Sequence, residues 1–316
     1  MYNRVLEAKL ILESIFKKIK ILDYLIKDEV TDIMVNPDNK IFIITTTQGK
    51  VFTELYSTPE ITKNIINILA SLEGVVINEK NPRLSALLPL TKSRFEGLIP
   101  PIVENPSFTI RKKNQKIILL EDYVKQNFLS ISDKILLEKY VKEKKNILIV
   151  GGTNTGKTTF TNALIALMKN ERLFFIEEVR ELQSQSSDNT HVVVIENIFS
   201  PKDAIKSAMR WTPERIIYGE IRGAEAFYLI NAFNSGHSGG ITTIHANDCY
   251  GGLSKLETYI LYEKPFPLSE LIAKTIDVVV TLSRKNNIRS LESIAEIKGY
   301  KDNKYILDFK VRKERN

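Results

Sequence analysis

The stretch that most limits what this chain can fold into is NILIVGGTNTGKTTF, residues 146–160. An unbroken run of Ile, Leu and Val marks a strand buried on both faces, as in a parallel sheet flanked by helices. That strand runs straight into GxxxxGK[ST], matched without a break by residues 151–158. Phosphates concentrate negative charge, so a protein that holds them must bring many N–H donors close together. Gly151, Gly152 and Gly156 let the backbone curl around Thr153, Asn154 and Thr155 until successive amides point inward. A helix starting near Lys157 adds its positive end, and the Lys157 amine can reach the β- and γ-phosphates. The Thr158 hydroxyl can ligate Mg²⁺, and Thr159 completes the first turn beside it. ALIALM, residues 163–168, continues the loop as an amphipathic helix. Strand, loop and helix in this order predict a site for a nucleoside triphosphate with Mg²⁺.

The rest of the second half follows the same pattern. RLFFIEE, HVVVIEN, RIIYGE, ITTIHA and DVVVTL read as short strands alternating with helices, which predicts a mostly parallel α/β sheet. Hydrolysis needs acidic groups where neighbouring strands end beside the phosphates. Two strands end that way, one at Glu177 and Glu178, the other at Glu220. Glu220, closing an apolar strand, is the better candidate to orient or deprotonate an attacking water. Glu177 or Glu178 would assist with Mg²⁺ or with that water, and the sequence leaves open which of the three is the general base.

The first half reads differently. TDIMVN, KIFIITTT and VFTEL are short strands broken by Pro37-Asp38-Asn39 and by Gln48-Gly49-Lys50. Thr58-Pro59-Glu60 opens a helix, with Thr58 as N-cap and Pro59 in the first turn. SALLPL, RFEGLIPPIV and SFTIRKK add extended segments punctuated by proline. These pieces predict a small α+β domain over residues 1–112, a charged linker over 113–130, and the nucleotide domain over 131–316.

The 316 residues carry a net charge of +7, spread along the chain, which permits an anionic partner without locating one. A single cysteine, Cys249, excludes an internal disulfide and a cysteine zinc cluster, and suits a reducing compartment. The first 29 residues alternate apolar and charged positions at helical spacing, unlike a signal peptide. No apolar run approaches the roughly 20 residues needed to cross a bilayer. GHSGGITTIHAND holds two of the three histidines, His237 and His245. An extended segment, advancing about 3.3 Å per residue, keeps their rings too far apart to share a metal.

Four segments in order, GGTNTGKTT, IEEVREL, RIIYGEIRGAEA and GHSGGITTIHAND, resemble the traffic ATPases of type II and type IV secretion. TDIMVNPDNKIFI, SRFEGLIPPIVENPSFTIRK and LEDYV resemble the conjugal-transfer and VirB-type branch. The resemblance implies an N-terminal domain, a linker and a RecA-like ATPase domain, assembled as a homo-hexamer around ATP and Mg²⁺. It implies partners among inner-membrane secretion components, at the cytoplasmic face of the bacterial inner membrane, with peripheral membrane association left open. Carried over residue by residue, Glu177 matches the acidic-box glutamate and Glu220 the catalytic glutamate. His245 matches a histidine that faces the γ-phosphate. Arg94 and Arg111 match N-terminal-domain arginines that reach the phosphates, and Arg210 lies where the family has another basic contact. The acidic box, usually Glu-Asp-Thr, reads Glu177-Glu178-Val179 here, which removes a hydroxyl and lengthens one acid.

On this reading the chain is a motor for pilus assembly or substrate transfer. A pilus-retraction or type II secretion motor shares the same core, although the four-cysteine element frequent in the type II branch is absent. A RecA-like nucleic-acid motor is a further alternative, but no aromatic-interleaved basic patch offers bases a stacking platform, so direct nucleic-acid binding is not indicated. A nucleotide switch without turnover would have little use for Glu220. His237 is assigned a structural or inter-subunit role.

Overall fold

The computed structural model describes residues 2–112, 117–285 and 288–312. The chain forms two compact units, Met1–Gln115 and Lys116–Asn316.

The first unit begins with α1 (Tyr2–Lys18) and α2 (Leu22–Ile26), then β1 (Val30–Val35), β2 (Lys40–Thr45) and β3 (Gly49–Tyr56). After α3 (Pro59–Glu73) come β4 (Arg83–Leu87), β5 (Arg94–Leu98) and β6 (Ser107–Arg111). All six strands join one antiparallel sheet in the order β3-β2-β1-β6-β5-β4. The two halves meet where β1 pairs with β6. In β2 the pattern of burial alternates residue by residue, as a sheet with one covered face requires. Leu12 and Phe16 of α1 and Ile65, Ile66 and Leu69 of α3 pack against that face, over Ile33, Ile41, Phe95 and Ile110. The helix opened by Thr58 forms as its sequence dictates: the Thr58 hydroxyl accepts from the Ile61 amide at 3.3 Å, and Pro59 fills the first turn.

The second unit starts with α4 (Leu120–Lys125) and α5 (Ile131–Lys142), followed by β7 (Ile147–Gly151), α6 (Lys157–Ile165), β8 (Leu173–Glu177) and β9 (Asn189–Val193). Next come α7 (Pro201–Arg210), β10 (Arg215–Ile221), α8 (Glu225–Asn234) and β11 (Ile241–Ile244). The chain continues through α9 (Cys249–Leu261) and α10 (Ser269–Thr275) to β12 (Val278–Lys285), β13 (Ile288–Lys301) and β14 (Lys304–Arg312). The eight-stranded sheet runs β14-β13-β12-β7-β11-β10-β8-β9, parallel from β12 to β9 and antiparallel at β13 and β14. One face packs against α7, α8, α9 and α10, the other against α4, α5 and α6.

Four segments differ from expectation. Residues 120–129 of the expected linker fold into the second unit: Leu120, Tyr123, Phe128 and Leu129 are buried, and the Tyr123 and Phe128 rings lie 5.5 and 6.1 Å from that of Phe160. Residues 113–116 of that stretch lie outside the described residues. Helix α6 is covered nearly all round instead of on one side, because α5 closes the face that would otherwise meet water. Strand β9 forms at Asn189–Val193 but is only half-buried, since it is the sheet's edge among the described residues. The alternating tail that follows DVVVTL builds β13 and β14, two strands the apolar-run signal does not flag.

Candidate functional site

Parallel strands bring their carboxyl ends to one edge, and here four of them deliver polar groups in a row. In sheet order β7, β11, β10 and β8 end at Gly151, Ile244, Ile221 and Glu177. The loop after β7 is the glycine-rich segment expected from the sequence to bind phosphate. A Cβ added to Gly151 would sit 2.5 Å from Thr155 Oγ1 and 2.8 Å from the Leu282 carbonyl, so only glycine fits. Asn154 (φ 61°) and Gly156 (φ 93°) both take left-handed backbone, and Thr155 Oγ1 donates to the Gly152 carbonyl at 3.0 Å. This curl points the loop inward before α6 begins.

Lys157 is buried where α6 starts. Its Nζ donates to the carbonyls of Gly151 at 2.9 Å and Gly152 at 3.1 Å, and stands 4.0 Å from Glu220 Oε1. Burial pushes the amine down to about 8, against the pull of the Glu220 carboxylate. His245, just past β11, lies 3.3 Å from Lys157 Nζ, and its Nε2 is 2.6 Å from Glu220 Oε1. Burial first, then the Lys157 charge, holds the His245 imidazole below its ordinary range against the opposing pull of Glu220, and so favours its neutral form. Glu220 Oε1 is buried against His245 Nε2, a close contact without hydrogen-bond alignment, while Oε2 accepts from Arg222 Nε at 2.8 Å and Nη2 at 2.6 Å. Arg222 Nη1 donates to Glu178 Oε2 at 2.6 Å. The result is a chain of contacts from Glu178 through Arg222, Glu220 and His245 to Lys157. Glu225, at the start of α8, fixes the turn by accepting from the Arg222 amide at 2.6 Å and the Gly223 amide at 3.0 Å.

The two acids after β8 divide their roles. Glu178 is exposed and joins the network through Arg222. Glu177 turns inward instead: its Oε1 accepts from the amides of Glu181 at 2.8 Å and Leu182 at 2.7 Å, and Oε2 lies 3.5 Å from His191 Nδ1. Asn162 of α6 ties down the same loop, donating to the Glu181 carbonyl at 3.1 Å and accepting from the Gln183 amide at 2.9 Å. A carboxylate committed to two amides is a loop anchor, so Glu177 is placed beside the site without joining its contacts.

Arg210 is not brought to this edge. It is exposed in the last turn of α7, which leads into the amino end of β10, opposite the phosphate loop. His237 precedes β11 and His245 follows it, so the strand separates them as its length requires. Arg94 and Arg111 are register partners on β5 and β6 of the first unit, and Arg111 Nε donates to Asp32 Oδ1 at 3.0 Å. Thr158 and Thr159 lie half-buried in the first turn of α6. Among the described residues no three His, Cys, Asp or Glu side chains form a metal cluster.

Two residues escaped the sequence reading. Arg222 sits two positions after Glu220, just past the end of β10, and that spacing could have flagged it. Arg289 donates from Nε to the Asn154 carbonyl at 3.0 Å, across 135 residues of sequence, and no local pattern announces it.

Comparison with known proteins places this geometry. The family model described as Type II/IV secretion system protein matches residues 11–298. The conjugal transfer protein TrbB of Rhizobium radiobacter is 34% identical over 280 residues, covering 87% of this chain and 86% of that protein. The type IV secretion system protein VirB11 of Bartonella henselae is 30% identical over 288 residues, covering 77% of this chain and 80% of that protein. Among solved structures, the Legionella pneumophila ATPase DotB superposes with a TM-score of 0.63 at 16% identity, covering 89% of this chain and 79% of that one.

Proposed function

The chain belongs to the type II/IV secretion system protein family, and from that premise we propose that it is the ATP-hydrolysing motor of a type IV secretion or conjugal-transfer machine. The observation that carries the reading is the row of Lys157, His245, Glu220 and Arg222 along the edge beside a loop whose first residue must be glycine. That edge fits a triphosphate and its cation. The Gly151–Gly156 curl forms a cradle, Lys157 offers a cation, and the buried Glu220 Oε1 faces that cation at 4.0 Å and His245 Nε2 at 2.6 Å. Mg²⁺, when bound, would neutralise phosphate charge, with the Thr158 hydroxyl and Glu178 as the side chains suited to hold it or its water.

Glu220 Oε1 is the atom that would take the hydrogen bond of an attacking water and draw its proton. Arg222 holds the other oxygen, so the carboxylate cannot rotate away. Neutral His245 can donate to a phosphate oxygen, and Lys157 exchanges the carbonyls of Gly151 and Gly152 for the β- and γ-phosphates. Glu177 supports the loop that carries Glu178. Arg94 and Arg111 of the first unit are assigned as further cations for the phosphates. A homo-hexamer docked on inner-membrane secretion components at the cytoplasmic face would turn this cycle into transport. No helix among the described residues is long and apolar enough to cross a membrane.

The test is direct. The wild-type chain should hydrolyse ATP with Mg²⁺ and gain mass to six copies when ATP is added. Glu220→Gln and Arg111→Ala should bind ATP within about threefold of wild type yet lose on the order of 10²-fold or more in turnover. A Glu220→Gln protein that hydrolyses ATP at the wild-type rate would remove Glu220 from the role given it.

A further inference from the structure

The phosphate loop is braced from outside by a hairpin that carries none of the strand-end groups. Strand β12 runs parallel to β7 with Leu282 beside Gly151, and its carbonyl oxygen lies 2.8 Å from where a Gly151 Cβ would stand. Strand β13 returns antiparallel, placing Arg289 opposite Arg284. From there the Arg289 side chain extends along the loop. Its Cδ lies 3.6 Å from the position of a Cβ on Gly156, and its Nε donates to the Asn154 carbonyl at 3.0 Å. Asn154 is the one non-glycine residue of the loop with positive φ, at 61°. Left-handed backbone is unfavourable for a residue with a side chain, and Asn is among the few that tolerate it. A bond to its carbonyl favours this turn over the alternatives.

We propose that Arg289 is a positioning residue of the nucleotide site, whose Nε–H holds the Asn154 turn in the shape that presents the loop's amides to phosphate. The inference rests on the ATP reading above. It makes the β12–β13 hairpin part of the site: the Leu282 carbonyl packs against the start of the loop and Arg289 holds its tip. The guanidinium also places positive charge at the loop's outer side, so bond and charge must be separated by experiment.

Two substitutions do this because they keep the reach of the side chain. Glutamine puts an N–H donor at the same number of bonds from the backbone as Arg Nε, without the charge. Methionine puts a methyl there, with neither. Binding of ADP and of inorganic pyrophosphate, and steady-state ATP hydrolysis, would be measured on the full chain. Arg289→Met should weaken both ligands about fivefold and raise KM for ATP by a similar factor, with kcat within about twofold of wild type. Arg289→Gln should stay within about twofold of wild type throughout. The melting temperature without nucleotide should not distinguish the two variants, which a general structural role would. Wild-type affinity in Arg289→Met would overturn the proposal. So would equal losses in both variants, which would assign the effect to charge, or a fall in kcat at constant KM. A wild-type protein that binds neither ADP nor pyrophosphate would instead defeat the ATP reading itself.

Discussion

Lys157 is a buried cation held by carbonyls, and that makes nucleotide binding depend on protons in a way that can be worked out. Its amine moves from 10.5 to about 8, with burial as the main cause. Each tenfold change in proton affinity is about 1.36 kcal/mol, so keeping the charge in the nucleotide-free site costs on the order of 3 kcal/mol. The unfolded chain binds more protons than the folded one between about pH 8 and 10.5, so in that window this group makes stability rise with pH. Below about pH 8 the full penalty is present.

Phosphates arriving beside the amine restore its affinity for a proton. At pH 9 only about a tenth of free sites carry the Lys157 proton, so binding should take up about 0.9 proton; at pH 7.5 it should take up about 0.2. Affinity should weaken about eightfold between those two values. The phosphates themselves titrate lower, near pH 6, and add little across this range. Calorimetry of ADP binding at pH 7.5 and pH 9, each in two buffers of different ionisation enthalpy, reads the uptake. Denaturant unfolding of the free protein over the same range reads the stability, and its rise should vanish in Lys157→Met. Equal uptake at both values, or an affinity that does not change, would refute the argument, because it would mean the amine is fully charged before nucleotide arrives.

Three further outcomes follow from the same geometry. Gly151→Ala places a methyl against the Leu282 backbone, which cannot yield, so nucleotide affinity should fall at least about tenfold and unfolding should cost about 1–3 kcal/mol less; titration and melting check both. Arg222→Ala frees Glu220 Oε2 and Glu178 together, and turnover should drop about tenfold or more while ADP affinity stays within about twofold. Arg222→Lys should recover only part, since an ammonium cannot take the same carboxylate oxygen from two nitrogens. Glu171→Ala leaves the Arg215 guanidinium, buried and paired at 2.6 and 2.7 Å, without its carboxylate, and denaturant titration should show a loss of about 3 kcal/mol with nucleotide binding unchanged.

Much of the site was legible because its parts are local. A strand, a glycine loop and a helix follow one another in sequence, and a parallel sheet must bring strand ends to one edge, so Gly151–Thr158, Glu220 and His245 could be placed together from residue order alone. The six strands of the first unit were legible for the same reason, since each is a short extended segment bounded by turn or proline signals. What could not be read depends on side-chain direction or on distant pairing. Glu177 and Glu178 are neighbours of one charge in one motif. Only the fold of residues 178–182 decides that the first anchors amides and the second meets Arg222. Residues 120–129 look like a linker because they are charged and carry no buried-strand signal, yet Tyr123 and Phe128 meet Phe160 beside α6.

Arg210 shows where motif position and geometry part. Its place between the acidic box and Glu220 suggests a phosphate contact, but the chain reverses direction between those motifs. In a parallel sheet every strand must be re-entered from its amino end, so α7 carries the chain away from the phosphate edge before β10 returns to it. A residue at the close of such a helix is at the far side of its own subunit's sheet. The same rule places His237 and Arg215 at that far side and His245 and Glu220 at the near one. Arg210 can therefore meet a phosphate only if a second copy presents one to it. Arg210→Ala should then leave ADP affinity unchanged in dilute single chains and alter turnover only where copies assemble. A loss of affinity in the isolated chain would contradict the direction that the sheet imposes.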